Sequence, residues 1–453
     1  MVKDMTKGSP TKLISTFMVP FLIGNLIQQL YHIIDTIFVS VFVGPKALAG
    51  VGIASTISFI VFGFAIGCCN GFCIILAQRF GGKRKKGIKI SISASFHLYL
   101  YLTIFLTIVS VILTKPILLL IDTPAEIFHH AYIYAIICYC GTFSLVSYNL
   151  FSGMLRSVGD NKAPLVFLVI SAVLNIILDL ITVGYLDMGT KGAAISTIIA
   201  ETVSSIPCII FIKKRYPFMW PTKKEWKLNM PYMLKQLKIG IPMGLEFAVT
   251  GISLIVLQKA VNGFGKNIIA GFAIAMRVEN LIIASFIALA TAMATYTAQN
   301  YGARQYIRIK NGAKSSLLIG FLLCLVLGGA LILLWDKITE LYLLKNDATT
   351  NIMKLEIKKA SKQYINIAIF NFPILCMLLS FRSIVQSINK TIIPMLAGFC
   401  ELFMRSFGAF FLGHVLGYFG ICLSPILAWY GAFFMVFFSY IYNIRKLLKL
   451  QKT

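Results

Sequence analysis

Four oxygen-bearing side chains stand inside apolar sequence: Asp35, Asn175, Asp179 and Thr197. Asp179 follows Leu174-Asn175-Ile176-Ile177-Leu178 and precedes Leu180-Ile181-Thr182-Val183, so it does not belong to a polar loop. Asn175 and Asp179 are four residues apart and share one helical face. A charge at the centre of a bilayer is unfavourable by at least ~2.5–3.5 kcal/mol unless it is paired or hydrated. Two carboxylates, an amide and a hydroxyl together suit a hard monovalent cation such as Na⁺, or a shared proton. The other reading places Asp35 and Asp179 at the membrane interface, turned toward headgroups.

The second half of the chain offers a different polar set. Glu246, Arg277 and Glu279 form a further candidate polar cluster, and Glu401 and Arg405 stand at i, i+4, where an intrahelical ion pair is expected. His32, His97 and His414 read as packing or interfacial residues. The ten cysteines, among them Cys68, Cys69, Cys73, Cys138, Cys140 and Cys324, all lie in apolar stretches without zinc spacing, and read as small buried residues. Gly82-Lys83 and Gly265-Lys266 lack the remainder of a phosphate-binding loop, and neither HExxH nor GxSxG occurs. ATP hydrolysis by this chain is thereby excluded. An enzyme is not expected, nor a cofactor beyond a coupling ion.

These residues need elements that hold them in lipid. Of 453 residues, 58% are hydrophobic and 13% charged, with mean hydropathy +0.83. Soluble domains carry roughly 25% charged residues, so the outer surface here must face lipid. Apolar runs long enough to cross a hydrocarbon core of ~30 Å lie near 13–37, 52–78, 91–113, 131–153, 163–185, 192–213, 236–260, 270–296, 315–335, 362–386, 392–414 and 420–443. Their length predicts twelve transmembrane helices rather than barrel strands. The first run lacks a small-residue cleavage site at its end and reads as a retained span.

The net charge of +26 does not point to nucleic acid, because the basic residues fall in short runs between apolar segments. Lys3, Lys7 and Lys12, the run from Arg79 to Lys89, the run from Lys213 to Lys227, Arg304, Arg308 and Lys310, and Arg445 to Lys452 mark one side as cytoplasmic. Both termini then lie inside, in a plasma (inner) membrane. The outer loop 337–362 is the exception, with Lys345, Lys354, Lys358 and Lys359 only partly balanced by Glu340, Asp347 and Glu356.

The halves repeat. Gly44, Ala49, Gly50 and Ala77-Gln78-x-x-Gly81 recur in register as Gly265, Ala270, Gly271 and Ala298-Gln299-x-x-Gly302. Pro20 matches Pro242, Pro164 matches Pro394, and Arg405 aligns with Asn175. Six spans per half make the repeat parallel. The fold expected is all-α, with two six-helix lobes related by a parallel pseudo-twofold. The divisions are an amino-terminal lobe over 1–215, a cytoplasmic linker over 216–236 with Trp220, Trp226 and Tyr232 among lysines, and a carboxy-terminal lobe over 237–453.

Taken in order, Pro20, Asp35, Gly44, Ala47-Leu48-Ala49, Gln78, Gly81, Arg156-x-x-Gly159-Asp160-x-x-x-Pro164, Asn175-x-x-x-Asp179 and Gly192-Ala193-Ala194-x-x-Thr197 resemble the amino-terminal lobe of multidrug and toxic compound extrusion (MATE) transporters. The resemblance covers nearly the whole chain. It implies secondary antiport, with export of small organic cations in exchange for H⁺ or Na⁺. It implies a cation site at Asp35, Asn175, Asp179 and Thr197, and bending of the first helix at Pro20. Glu246 matches a glutamate of NorM-type members, but 364–386 contains no aspartate where those members have one, which places the chain nearer the DinF-like branches. The partners expected are organic cations and the lipid bilayer, for a chain acting as a monomer. Met and aromatic side chains lining a central cleft would suit flat cations. A lipid-linked sugar flippase of the same superfamily would share the fold but should line its cleft with several cations. An intramembrane lipid enzyme would need a nucleophile and base that are not visible.

Overall fold

A computed structural model describes residues 3–343 and 351–452. Lys345 and Asp347 of the basic outer loop lie outside the described residues. In lipid every backbone N–H and C=O must be satisfied internally, and the apolar runs accordingly form long helices. In chain order these are α1 (Pro10–Phe38), α2 (Pro45–Gly81), α3 (Lys85–Leu120), α4 (Ala125–Cys140), α5 (Thr142–Ser157), α6 (Lys162–Asp179) and α7 (Gly189–Arg215). The second half holds α8 (Met230–Val261), α9 (Lys266–Gly302), α10 (Tyr306–Leu343), α11 (Asn351–Ser387), α12 (Ile392–Phe407), the short α13 (Gly413–Leu416) and α14 (Tyr418–Lys452).

Eleven of these helices are long and apolar enough to cross a membrane, and α4 with α5 forms a twelfth, broken span bent by 49°. The break falls at Gly141, where a Cβ would come within 2.3 Å of Ile198 Cγ1 on α7. With that pair taken as one span, each half of the chain has six, as the sequence predicts.

The chain divides into two compact units. The first comprises Met1–Lys7, Val19–Ala248 and Ala298–Gln305; the second comprises Gly8–Met18, Val249–Thr297 and Tyr306–Thr453. In the first, α2 packs on α3, α4 and α5, and α7 on α4, α5 and α6. The segment after α7 is built of turns and joins this core: Tyr216 and Met219 are buried, with Phe218 and Trp220 against them. Tyr216 donates a 2.5 Å hydrogen bond to Asp160 Oδ2, and Asp160 Oδ1 accepts from the backbone N–H groups of Lys162 and Ala163 at the start of α6. Burial first, and this bond second, hold the Tyr216 phenol above its ordinary range, so it stays a donor at neutral pH.

The repeated Ala-Gln-x-x-Gly motif meets its own copy in the first unit. A Cβ on Gly81 would sit 2.0 Å from Gln299 O, and one on Gly302 would sit 1.9 Å from Gln78 O. Gln299 Nε2 donates to Ser157 O at 2.9 Å, and its Oε1 accepts from Met5 N at 2.8 Å. Of the second unit, α14 packs on both α11 and α12, and α10 on α11. The cysteines depart from expectation in part. Seven are buried, but Cys138 and Cys400 are half-buried and Cys140 is exposed at the Gly141 bend.

Candidate functional site

Three helices of the first unit carry polar stripes at helical spacing. Tyr31 and Asp35 lie on α1, Ser171, Asn175 and Asp179 on α6, and Thr197 and Glu201 on α7. Residues four apart share a face, so each stripe presents its polar groups together. Two of the three helices also change winding at the stripe. A π-helical turn, Val39–Val43, follows α1, and another, Leu180–Tyr185, follows Asp179 directly. Such turns are rare and frequently found at functional sites.

Asp35 and Asp179 come together. Their carboxyl groups lie within electrostatic reach of one another, and both are buried, with 7% and 0% exposure. Asp35 Oδ1 and both carboxyl oxygens of Asp179 lack a hydrogen-bond partner. Placement at the lipid interface, the alternative reading of these two acids, does not fit that burial. Asn175 is 1% exposed, and neither its Oδ1 nor its Nδ2 is partnered. Leaving a buried polar group unmet is unfavourable by about 1–3 kcal/mol, so this concentration of unmet atoms marks a place shaped for something small and polar.

Beside the carboxyl pair, Tyr31, Ser171, Ala172, Asn175, Thr197, Ala200 and Glu201 line a small cleft with room for little more than one ion or water. Ser171 Oγ donates to Ala200 O at 2.7 Å and Thr197 Oγ1 to Ala193 O at 2.9 Å, which leaves the hydroxyl lone pairs turned to other partners. Tyr31 is within electrostatic reach of Glu201, Asp35 and Asp179, and so connects the cleft to the carboxyl pair. Of the four residues that the sequence singles out, Asn175 and Thr197 thus line the cleft, and Asp35 and Asp179 lie within electrostatic reach of its Tyr31.

Tyr31 and Glu201 were not singled out. The signal for Glu201 is the spacing that reveals Asn175 and Asp179: a charge in an apolar run, four residues after Thr197. Pro20 sits inside α1, which runs through it without interruption.

Of the second-half residues, Arg277 and Glu279 do not stand together. Glu246 belongs to the first compact unit and Arg277 and Glu279 to the second. Arg277 is exposed while Glu279 is 1% exposed, and residues two apart do not share a helical face. Glu279 Oε2 accepts from Tyr364 Oη at 2.8 Å, and its Oε1 is unmet. The expected Glu401–Arg405 pair is replaced by another: Glu401 takes its ion pair from Arg382 of α11, and Arg405 donates to Ser253 Oγ of α8. Helical spacing made Arg405 reachable, but a neighbouring helix offered Glu401 a different guanidinium.

Comparison with known proteins agrees with this architecture. The MatE family profile matches residues 20–181 and 242–411. "Probable multidrug resistance protein YpnP" of Bacillus subtilis (strain 168) is 31% identical over 301 residues, which is 66% of this chain and 67% of that protein. "Probable multidrug resistance protein YoeA" of the same strain is 26% identical, covering 74% of this chain and 73% of the relative. Among solved structures, "Crystal structure of MATE in the bent conformation" superposes with a TM-score of 0.89 at 24% identity, covering 99% of this chain and 98% of the other, a likeness of fold. With the profile spanning most of both halves and the helices following the same course, the chain belongs to the MATE family of multi-pass membrane transporters.

Proposed function

We propose that this chain is a secondary antiporter that exports cationic, amphipathic organic compounds in exchange for H⁺ or Na⁺, across a plasma (inner) membrane with both termini inside. The observation that carries the proposal is the buried pair of acids Asp35 and Asp179, within electrostatic reach of one another. Among the described residues neither has a Lys or Arg partner. Two like charges close together in a low-dielectric site repel, and a proton or small cation relieves the repulsion.

In this reading Asp35, Asn175, Asp179 and Thr197 form the coupling-ion site. Ion uptake changes the charge at α1, whose Pro20 would allow it to bend, and biases the transporter between inward-open and outward-open states. One charge moving down 100 mV supplies ~2.3 kcal/mol, nearly two decades of substrate gradient. Export of organic cations fits the multidrug names of the relatives. The absence of aspartate from 364–386 supports reading the chain as nearer the DinF-like branches than the NorM-type.

The test is efflux of a fluorescent organic cation from proteoliposomes, with a pH or a sodium gradient imposed separately. One gradient should drive wild-type efflux, and Asp35→Asn and Asp179→Asn should each abolish it with normal protein insertion. Unchanged efflux in both variants would remove the assigned site.

A further inference from the structure

Near the carboxyl pair stands a further buried acid. Glu201 of α7 is 6% exposed, its Oε2 has no hydrogen-bond partner, and it lines the cleft occupied on other sides by Tyr31, Asn175 and Thr197. The groups facing it are phenols, an amide and hydroxyls. Tyr31 on α1 and Tyr148 on α5 act on it electrostatically, and Tyr148 Oη is engaged with Pro164 O at 3.2 Å. Arg156 lies beyond Tyr148, where it donates to Ser152 Oγ and stacks over Phe21. Among the described residues no Lys or Arg pairs with Glu201.

Charge bookkeeping then separates two positions. An isolated buried carboxylate is strongly disfavoured, so Glu201 needs a positive charge of its own when the neighbouring pair has taken one. The cleft meets that need with Asn175 Oδ1, the Thr197 hydroxyl, the Tyr31 phenol and Glu201 Oε2, all oxygen donors around space for a single small ion. Resting on the exchange reading above, we propose that Glu201 and Tyr31 form a second monovalent-cation position that shares Asn175 and Thr197 with the first, so that two positive charges enter for each organic cation that leaves. With a monovalent substrate, such an exchange carries one net charge inward per turnover. A single-position site would exchange one for one and carry none.

The experiment uses the full chain in proteoliposomes loaded with ethidium, a monovalent fluorescent cation. With pH and sodium equal on both sides, a potassium diffusion potential drawing positive charge in through the protein should alone drive ethidium out. In Glu201→Gln that response should vanish, while a pH or sodium gradient still drives efflux. Should Glu201→Gln fail to transport, ions released on ethidium addition are counted in detergent: two per wild-type chain and one per variant chain are expected. A wild type indifferent to potential alone overturns the proposal. So does a variant as potential-sensitive as wild type, or an equal ion count in the two. Wild-type efflux driven by no ion gradient at all overturns instead the exchange reading on which this rests.

Discussion

Asn175 buries a complete amide with neither end satisfied, and an apolar residue of similar size removes that penalty. Asn175→Leu should therefore raise stability by about 1–3 kcal/mol while ion-driven transport falls, as expected where function holds unmet polar atoms in place. Thermal unfolding in detergent reads the first effect and vesicle efflux the second. A lowered unfolding midpoint would mean that Asn175 is a structural residue. The same scale shows what sequence could reveal. Asp35, Asn175, Asp179 and Thr197 are legible because polar atoms inside apolar runs need a reason to be there. Glu201 obeyed the same rule and was passed over. Tyr31 carried no such signal, since an amphipathic tyrosine sits comfortably in any membrane helix.

At the scale of elements, the buried Arg382–Glu401 pair joins α11 to α12 and invites a double substitution. Removing one partner strands a charge, so Glu401→Gln should cost about 3–5 kcal/mol, whereas Arg382→Met combined with Glu401→Leu should recover most of it. Equal destabilisation by the single and double variants would show that these side chains fix the helices by shape rather than charge. This pair was illegible in the sequence because periodicity reports neighbours on one helix and says nothing about the helix alongside. The bend at Gly141 was hidden for a similar reason: an apolar run reads the same whether it crosses straight or turns by 49°. The π turns after Asp179 and after Phe407 stand at the ends of helices that the repeat aligns, an agreement that no single-residue pattern announces. Span number and order were legible, since hydropathy is the property that lipid selects.

For the whole molecule, the basic runs predict sidedness. In a cysteine-free background, Lys85→Cys should react with an impermeant maleimide only after cells are opened, and Lys46→Cys should react in intact cells. The reverse pattern would invert the assigned orientation and send the proposed exchange the wrong way. The two compact units also trade chain segments: the first includes Met1–Lys7 and Ala298–Gln305, and the second includes Gly8–Met18. Gln299 from that borrowed stretch bridges Ser157 and Met5, with the bare backbones of Gly81 and Gly302 crossing beside it. Severing the connection between Pro217 and Lys238 would leave the amino-terminal fragment with an open notch where residues 298–305 belong. Expressed alone, that fragment should yield little extractable protein; expressed with the remainder of the chain, it should be rescued. Full recovery of the lone fragment would mean that the notch closes by itself. The first unit thus draws on both halves of the sequence, and a chain cut between them carries only part of it.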